Sequence, residues 1–267
     1  MEHSKTLLVL GHPGHELRVW QWLCQEKPTV CILTDGSGAA GQSRLPVTDR
    51  TFASAGARFS DRFAGVSDAQ IYKAVLDQGL EFFVSMAEQI RDLLVAESFD
   101  VVVGDGCEGY NPTHDICRLM INAAVASAAH QGRQILNYSF PLMGHPNSGK
   151  PTAGDILVEL TDEQLQQKVE LIHAYGAEAG GMLTTEIADT FDKFGQHAFK
   201  QERLFLMPSA EKEPQLALEI PFYERHGEQR VAEGVYRYVI RYNEHIHPIH
   251  CRLMAWADSA VVSLQDS

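Results

Sequence analysis

Two kinds of hydrophobic pattern alternate along the first half of the chain. Leu7 to Leu10, Val30 to Leu33, Asp100 to Gly104 and Gln134 to Ser139 are short, largely apolar runs. They read as strands, and the first three are apolar enough to be buried on both faces of a sheet. The stretches between them repeat their apolar residues every three or four positions. His15 to Glu26 predicts a helix with Leu17, Trp20 and Leu23 on one face, and Asp49 to Phe63 predicts another. Asp68 to Glu97 is the longest such stretch, carrying Tyr72, Leu76, Leu80, Phe83, Met86, Ile90 and Leu94, with Gly79 as the point where it bends or splits. His114 to Ala129 predicts a further helix.

Strands alternating with helices imply an α/β fold: a Rossmann-like, mostly parallel sheet with helices on both faces. Beyond residue 145 the pattern weakens. Asp155 to Leu160 reads as a strand, and Thr161-Asp162-Glu163 opens a helix that continues through Leu165, Val169, Ile172 and Tyr175. Thr184 to Phe194 reads as helix and Val235 to Tyr242 alternates like a strand. The expected organisation is an α/β domain over residues 1–180 and a C-terminal elaboration over 181–267. That elaboration packs on the same domain or lies at a subunit interface of a homo-oligomer. His245, His247 and His250, interrupted by Pro248, read as loop or subunit-contact residues.

Composition narrows the partners. The 267 residues carry 22 Lys+Arg against 35 Asp+Glu, a formal charge of −13. That balance argues against nucleic acid as a partner, because phosphate binding needs a basic face. No apolar run approaches the ~20 residues of a membrane span, so no membrane insertion is expected. The five cysteines, at 24, 31, 107, 117 and 251, are odd in number and form no CxxC pair. A reducing, cytoplasmic setting fits them.

The chemistry is concentrated where strands run into helices. The first strand ends in Gly11-His12-Pro13-Gly14-His15-Glu16, and the third in Asp105-Gly106-Cys107-Glu108-Gly109-Tyr110-Asn111-Pro112-Thr113-His114-Asp115. Asn111 suits a helix N-cap and Pro112 the first helical position. His114 then falls in the first turn, where the helix dipole favours a neutral imidazole, the form that binds metal. In a parallel sheet the carboxyl ends of both strands share one edge, so His12, His15 and His114 are expected to converge there as metal ligands. Three protein ligands and an open position are the pattern of a catalytic zinc site.

These stretches resemble the LmbE/PIG-L family of zinc-dependent de-N-acetylases, in order and spacing, over roughly residues 5–180. The family's first motif reads His-Pro-Asp-Asp-Glu where this chain has His12-Pro13-Gly14-His15-Glu16. Its second reads His-Pro-Asp-His against Asn111-Pro112-Thr113-His114, and Thr34-Asp35-Gly36 resembles its turn after the second strand. The resemblance implies a metal-dependent hydrolase removing the acetyl group from an N-acetyl sugar or related small amide. It makes His12 and His114 ligands and puts His15 in place of the family's ligating aspartate. Zinc is the implied metal, although imidazoles also suit other divalent transition metals. Arg50, placed like the family's arginine beyond the second strand, and Asn111 are the expected substrate contacts.

The chain also departs from the family pattern. Gly14 stands where the family has its general base, and Asn111 where it has a proton-carrying histidine. Glu108 and Asp115, the nearest carboxylates to the second motif, are the expected replacements for proton transfer. The alternative is a non-catalytic member that binds metal and a carbohydrate or metabolite.

Overall fold

The computed structural model describes residues 4–38, 41–63, 65–148, 150–180, 182–207 and 219–265. Strand β1 (Thr6–Leu10) leads through a 3₁₀ turn (His15–Val19) into α1 (Trp20–Glu26), then β2 (Thr29–Ile32), α2 (Leu45–Ala55) and β3 (Arg58–Ser60). Helices α3 (Asp68–Leu76) and α4 (Leu80–Ala96) follow, then β4 (Val101–Asp105), α5 (Pro112–His130) and β5 (Leu136–Phe140). The remainder is β6 (Ile156–Glu159), α6 (Asp162–Ala179), α7 (Met182–Phe194), β7 (Gln201–Leu206), α8 (Phe222–Ala232) and α9 (His247–Gln265). Among the described residues no helix is long and apolar enough to cross a membrane.

The sheet order is β3-β2-β1-β4-β5-β7-β6. Strands β3 to β5 run parallel, whereas β7 is antiparallel to both its neighbours. Strand β1 is buried at all five positions, as a central parallel strand covered on both faces must be. One face packs on α4, α5 and α9 through Leu7, Val9, Ile90, Met120 and Leu253, and the other on Leu8, Leu10, Trp22, Leu23 and Phe52. The chain winds from β1 outward to β3, then crosses back to β4 beside β1. The β1–β4 boundary is therefore the topological switch point, where α/β sheets open a crevice beyond their carboxyl ends.

The structure differs from the sequence reading in several places. The helix predicted from His15 starts as a 3₁₀ turn, because Gly14 precedes it at φ +103°. The helix predicted over Asp49 to Phe63 begins earlier, at Leu45, and stops at Gly56; the chain then forms the short edge strand β3. The long periodic stretch splits into α3 and α4 just before Gly79, with Gln78 at φ +52°. Val235 to Tyr242 is irregular rather than a strand. Tyr236 and Tyr238 are about half exposed, at 48% and 58%, whereas Tyr242 is buried and opens a π-helical turn. His247 and His250 lie in the first turn of α9, where Pro248 is tolerated because no intrahelical N–H is needed there. His245 belongs to a π-helical turn just before it.

Two buried charges fix the frame of the crevice. Arg118, on α5, donates to Asp105 O at 2.7 Å, Asn137 Oδ1 at 2.8 Å and Tyr138 O at 3.0 Å, tying the ends of β4 and β5 together. Glu202, on β7, accepts from the backbone of Gln21 and Trp22 at 2.9 and 2.8 Å and from Lys168 Nζ at 2.6 Å. Its negative charge meets the N-terminus of α1, so β7 holds the helix that follows the first histidine motif.

Candidate metal and active site

The loop after β1 is shaped by two glycines. A Cβ at Gly11 would lie 2.8 Å from Asp105 Oδ2. Without one, the Gly11 N–H donates to that oxygen at 2.7 Å and joins the ends of β1 and β4. Gly14 takes the left-handed φ of +103° that a side chain disfavours. Its N–H donates to Glu16 Oε2 at 2.8 Å, closing the turn between the two histidines.

The structure brings His12, His15 and His114 together. Their ring centroids are 5.3 Å apart for His12–His15, 5.2 Å for His12–His114 and 4.5 Å for His15–His114. His114 sits in the first turn of α5, which Asn111 caps by accepting from Thr113 N at 2.8 Å. Burial, then the neighbouring imidazoles, hold His15 and His114 well below the usual histidine pKa, so both are neutral near pH 7.

Hydrogen bonds assign the tautomer of His12. Thr34 Oγ1 donates its one proton to Gly11 O at 3.0 Å. It can therefore only accept from His12 Nδ1, 2.8 Å away. Asp68 Oδ1 stands 3.1 Å from the same nitrogen, which makes Nδ1 the protonated one. His12 Nε2 is buried and without a partner among the described residues. His15 Nδ1 likewise donates to Asp105 Oδ2 at 2.8 Å, turning its Nε2 away from the carboxylate. Burial would push Asp68 up, but His12 and the Gly38 amide hold it well below the usual carboxylate range. Asp105 is pushed up to about 6 by burial, against the pull of His114 and Gly11.

Carboxylates behind imidazoles are the ordinary way of orienting metal-binding histidines. Among the described residues no group of three or more His, Cys, Asp or Glu side chains stands ready-made to hold a metal ion, so the donor atoms are not yet gathered on one point. The ring spacing still fits one. Three imidazoles bound at about 2.0–2.1 Å in a tetrahedral arrangement have centres about 5 Å apart. The bare, buried Nε2 of His12 and the neutral rings fit a divalent transition metal.

The other expected residues lie differently. Glu108 spends both carboxylate oxygens on the turn after β5, accepting from Leu142, Met143 and Gly144 N–H at 2.8, 2.9 and 2.7 Å. Arg18 holds the same turn through Pro141 O and Gly144 O. Asp115 is fully buried and accepts from Glu108 and Gly109 N–H at 3.0 and 3.1 Å, and burial pushes its pKa up to about 7. Arg50 is exposed and pairs with Glu178, so it is not brought to the crevice.

Other residues, not singled out from the sequence, surround the histidines. Arg44 donates from Nε to Gly36 O at 2.8 Å, and its charge acts on His15, His114 and Glu16. Tyr175, from α6, lies against Gly14; its hydroxyl is 2.6 Å from Thr48 Oγ1, which donates to Glu16 Oε1 at 3.0 Å. Arg44 and Arg50 lie six residues apart, and nothing in the sequence distinguishes the one near the histidines from the exposed one. Asp68 and Tyr175 reach the site only through folding over long separations.

No family model and no curated protein matches the sequence. Solved structures match the fold. One is a deacetylase triple mutant (Orf2*T) from the teicoplanin biosynthetic pathway, at TM-score 0.54 and 13% identity, covering 79% of this chain and 100% of that one. A second is a deacetylase–bog complex from the teicoplanin biosynthesis pathway, at 0.51 and 14%, with the same coverage. The A40926 pseudoaglycone deacetylase Dbv21 matches at 0.50 and 16%, again over 79% and 100%. These deacetylases belong to the LmbE/PIG-L family, and the chain shares their fold.

Proposed function

We propose that this chain is a metal-dependent amide hydrolase that removes the acetyl group from an N-acetylated sugar or a related small amide. The observation that carries the reading is the group of three imidazoles at the switch point, His12 and His114 buried and His15 partly so, with His12 and His15 oriented from behind by Thr34, Asp68 and Asp105. His12, His15 and His114 are the residues that would hold the metal. Zinc suits three imidazoles and an open position, and other divalent transition metals suit them too. The chemistry such a metal supplies is Lewis acidity toward the amide carbonyl and activation of water near neutral pH.

The chain's own residues do the rest. Asp68 and Asp105 keep the protons of His12 and His15 on Nδ1. Arg44, rather than the exposed Arg50, presents positive charge to a polar group of the substrate. Asn111 spends Oδ1 on its cap and its amide on the Tyr72 hydroxyl, so a substrate contact there has to compete with Tyr72. Of the two acids expected to carry a proton, Glu108 is bound by three N–H groups, so Asp115 is the stronger candidate. The cysteines are free thiols, which suits a reducing, cytoplasmic setting.

The second reading, a non-catalytic metal and carbohydrate binder, is favoured by one specific feature. Neither Gly14 nor Asn111 can transfer a proton, and general acid–base catalysis typically supplies ~10²–10⁴-fold. Acetate release from N-acetyl sugars by the zinc-loaded protein decides between them. Release that disappears on chelation supports the hydrolase; stoichiometric zinc without release supports the binder.

A further inference from the structure

Helix α7 is seated beside the first histidine motif. Its apolar stripe, Leu183, Ile187 and Phe191, packs on Leu17, Ile172 and Tyr175. The fit is close: a Cβ at Gly176 would lie 2.7 Å from Ile187 Cδ1, and Thr184 Oγ1 donates to Gly176 O at 3.0 Å. Tyr175, the residue before Gly176, is the ring that lies against Gly14. Leu17 and Tyr175 therefore join α7 to the turn between His12 and His15.

Spacing puts Glu186 and Asp189 on one flank of that stripe. Their charges reach Tyr110, in the loop after β4. The charge of Glu186 also interacts with His12, in the loop after β1, and with Arg44, at the end of the loop after β2. Arg44 and Pro13 both lie against Gly36, so Arg44 borders the same motif. These three loops all leave the carboxyl edge of parallel strands, and the Glu186 carboxylate that they share stands over that edge. Its backbone oxygen accepts from Thr190 Oγ1 at 2.7 Å, whereas among the described residues no hydrogen bond or ion pair holds its carboxylate. Water reaches the side chain, yet desolvation raises its pKa from the ordinary glutamate value, against the pull of Arg44 and His12.

We propose that Glu186 is the proton-accepting carboxylate of the site, serving from α7 the side where Gly14 offers no side chain. This role rests on the hydrolase reading. Amide hydrolysis takes a proton from water and gives one to the leaving nitrogen, and Asp115 lies on the other side, beside the second motif. Glu186 takes a proton from the attacking water as the water oxygen bonds to the amide carbonyl carbon. The C–N bond then breaks with its electron pair on nitrogen, which takes a proton from Asp115. The amine and acetic acid leave, and the proton on Glu186 returns to Asp115 through solvent. Glu108, held by three N–H groups, has no part in the transfer. Glu186 lies far beyond both histidine motifs in the chain, and it reaches them only because α7 packs on Tyr175.

The test uses the full-length, zinc-loaded protein with Glu186→Gln, Glu186→Ala and Asp189→Asn, all at exposed helix positions. Glu186→Gln is expected to lower kcat for acetate release from N-acetylglucosamine by about 100-fold or more, the scale of general acid–base catalysis. Asp189→Asn, on the same flank, is expected to leave kcat within a few-fold. Formate, a small carboxylate that fits the vacated space, is expected to raise kcat of Glu186→Ala by about tenfold and to leave the wild type unchanged. Zinc affinity, read by calorimetry independently of turnover, is expected to be the same in the wild type and all the variants. Wild-type kcat in Glu186→Gln, an equal loss in Asp189→Asn, no rescue by formate, or weakened zinc binding in Glu186→Gln each overturns the role and leaves the hydrolase standing. Absence of acetate release from the wild type overturns both.

Discussion

The ring of Tyr175 stands where a side chain on Gly14 would go: a Cβ there would lie 3.2 Å from Tyr175 Cε1 and 3.4 Å from its hydroxyl. A side chain at Gly14 would therefore crowd α6, which lays Tyr175 against that position. Gly14→Asp is expected to destabilise the protein by about 1–3 kcal/mol, from φ +103° and the contact together, and to add no activity. Thermal unfolding and acetate release check this. A variant as stable as wild type and faster would show that the position is still open to the base.

Glu16 supplies a pH signature. It is fully buried, and burial pushes its pKa up to about 7, against its hydrogen bonds from the Glu16 and Gly14 amides and Thr48. A carboxyl whose pKa is raised on folding stabilises the folded state below its unfolded pKa, near 4.5, and loses that contribution as pH rises to about 7. In the metal-free protein, wild type should therefore lose about 3 kcal/mol relative to Glu16→Gln between pH 4.5 and pH 7. Urea unfolding across that range measures the difference. A wild-type-to-variant gap independent of pH would contradict the assignment.

Much of the scaffold was legible because local rules agreed with the fold. The apolar runs of β1, β2 and β4 are central strands covered on both faces, so they carry no polar alternation to confuse the reading. Asn111 and Pro112 start α5, and Thr161 with Gln164 forms a capping box on α6. What escaped depends on distant contacts. Strand β7 is placed by pairing with β5 and β6 and by the Lys168–Glu202 pair. The three histidines are visible as a motif, whereas Asp68, which orients His12, arrives from the start of α3. Glu108 looked like a free acid because its three N–H partners lie more than thirty residues away.

Glu108 and Asp115 are separable by experiment. Glu108→Gln replaces an oxygen that accepts an N–H with an amide that donates one, so it is expected to cost about 1–3 kcal/mol of stability. Activity per folded molecule should stay within a few-fold. Asp115→Asn should instead lower kcat. Loss of kcat in Glu108→Gln at unchanged stability would return the proton-transfer role to Glu108.

The two arginines are expected to differ in the same way. Arg44→Ala should raise KM for an N-acetyl sugar about tenfold or more, the scale of one charge-assisted hydrogen bond. Arg50→Ala removes only an exposed pair with Glu178 and should change neither kinetics nor stability by more than about 0.5 kcal/mol. Steady-state kinetics on both variants distinguish the two. An effect at Arg50 alone would reverse the placement.

The most direct measurement is zinc titration of the chelator-treated protein by calorimetry, with metal content counted independently. The wild type is expected to bind one zinc per chain. Asp68→Asn and Asp105→Asn should weaken binding by about 10–100-fold, as loss of a partner behind a ligand does. His12→Ala, His15→Ala and His114→Ala should each weaken it further. Absence of zinc binding by the wild type, or undiminished binding by all three histidine variants, would contradict the three-histidine centre.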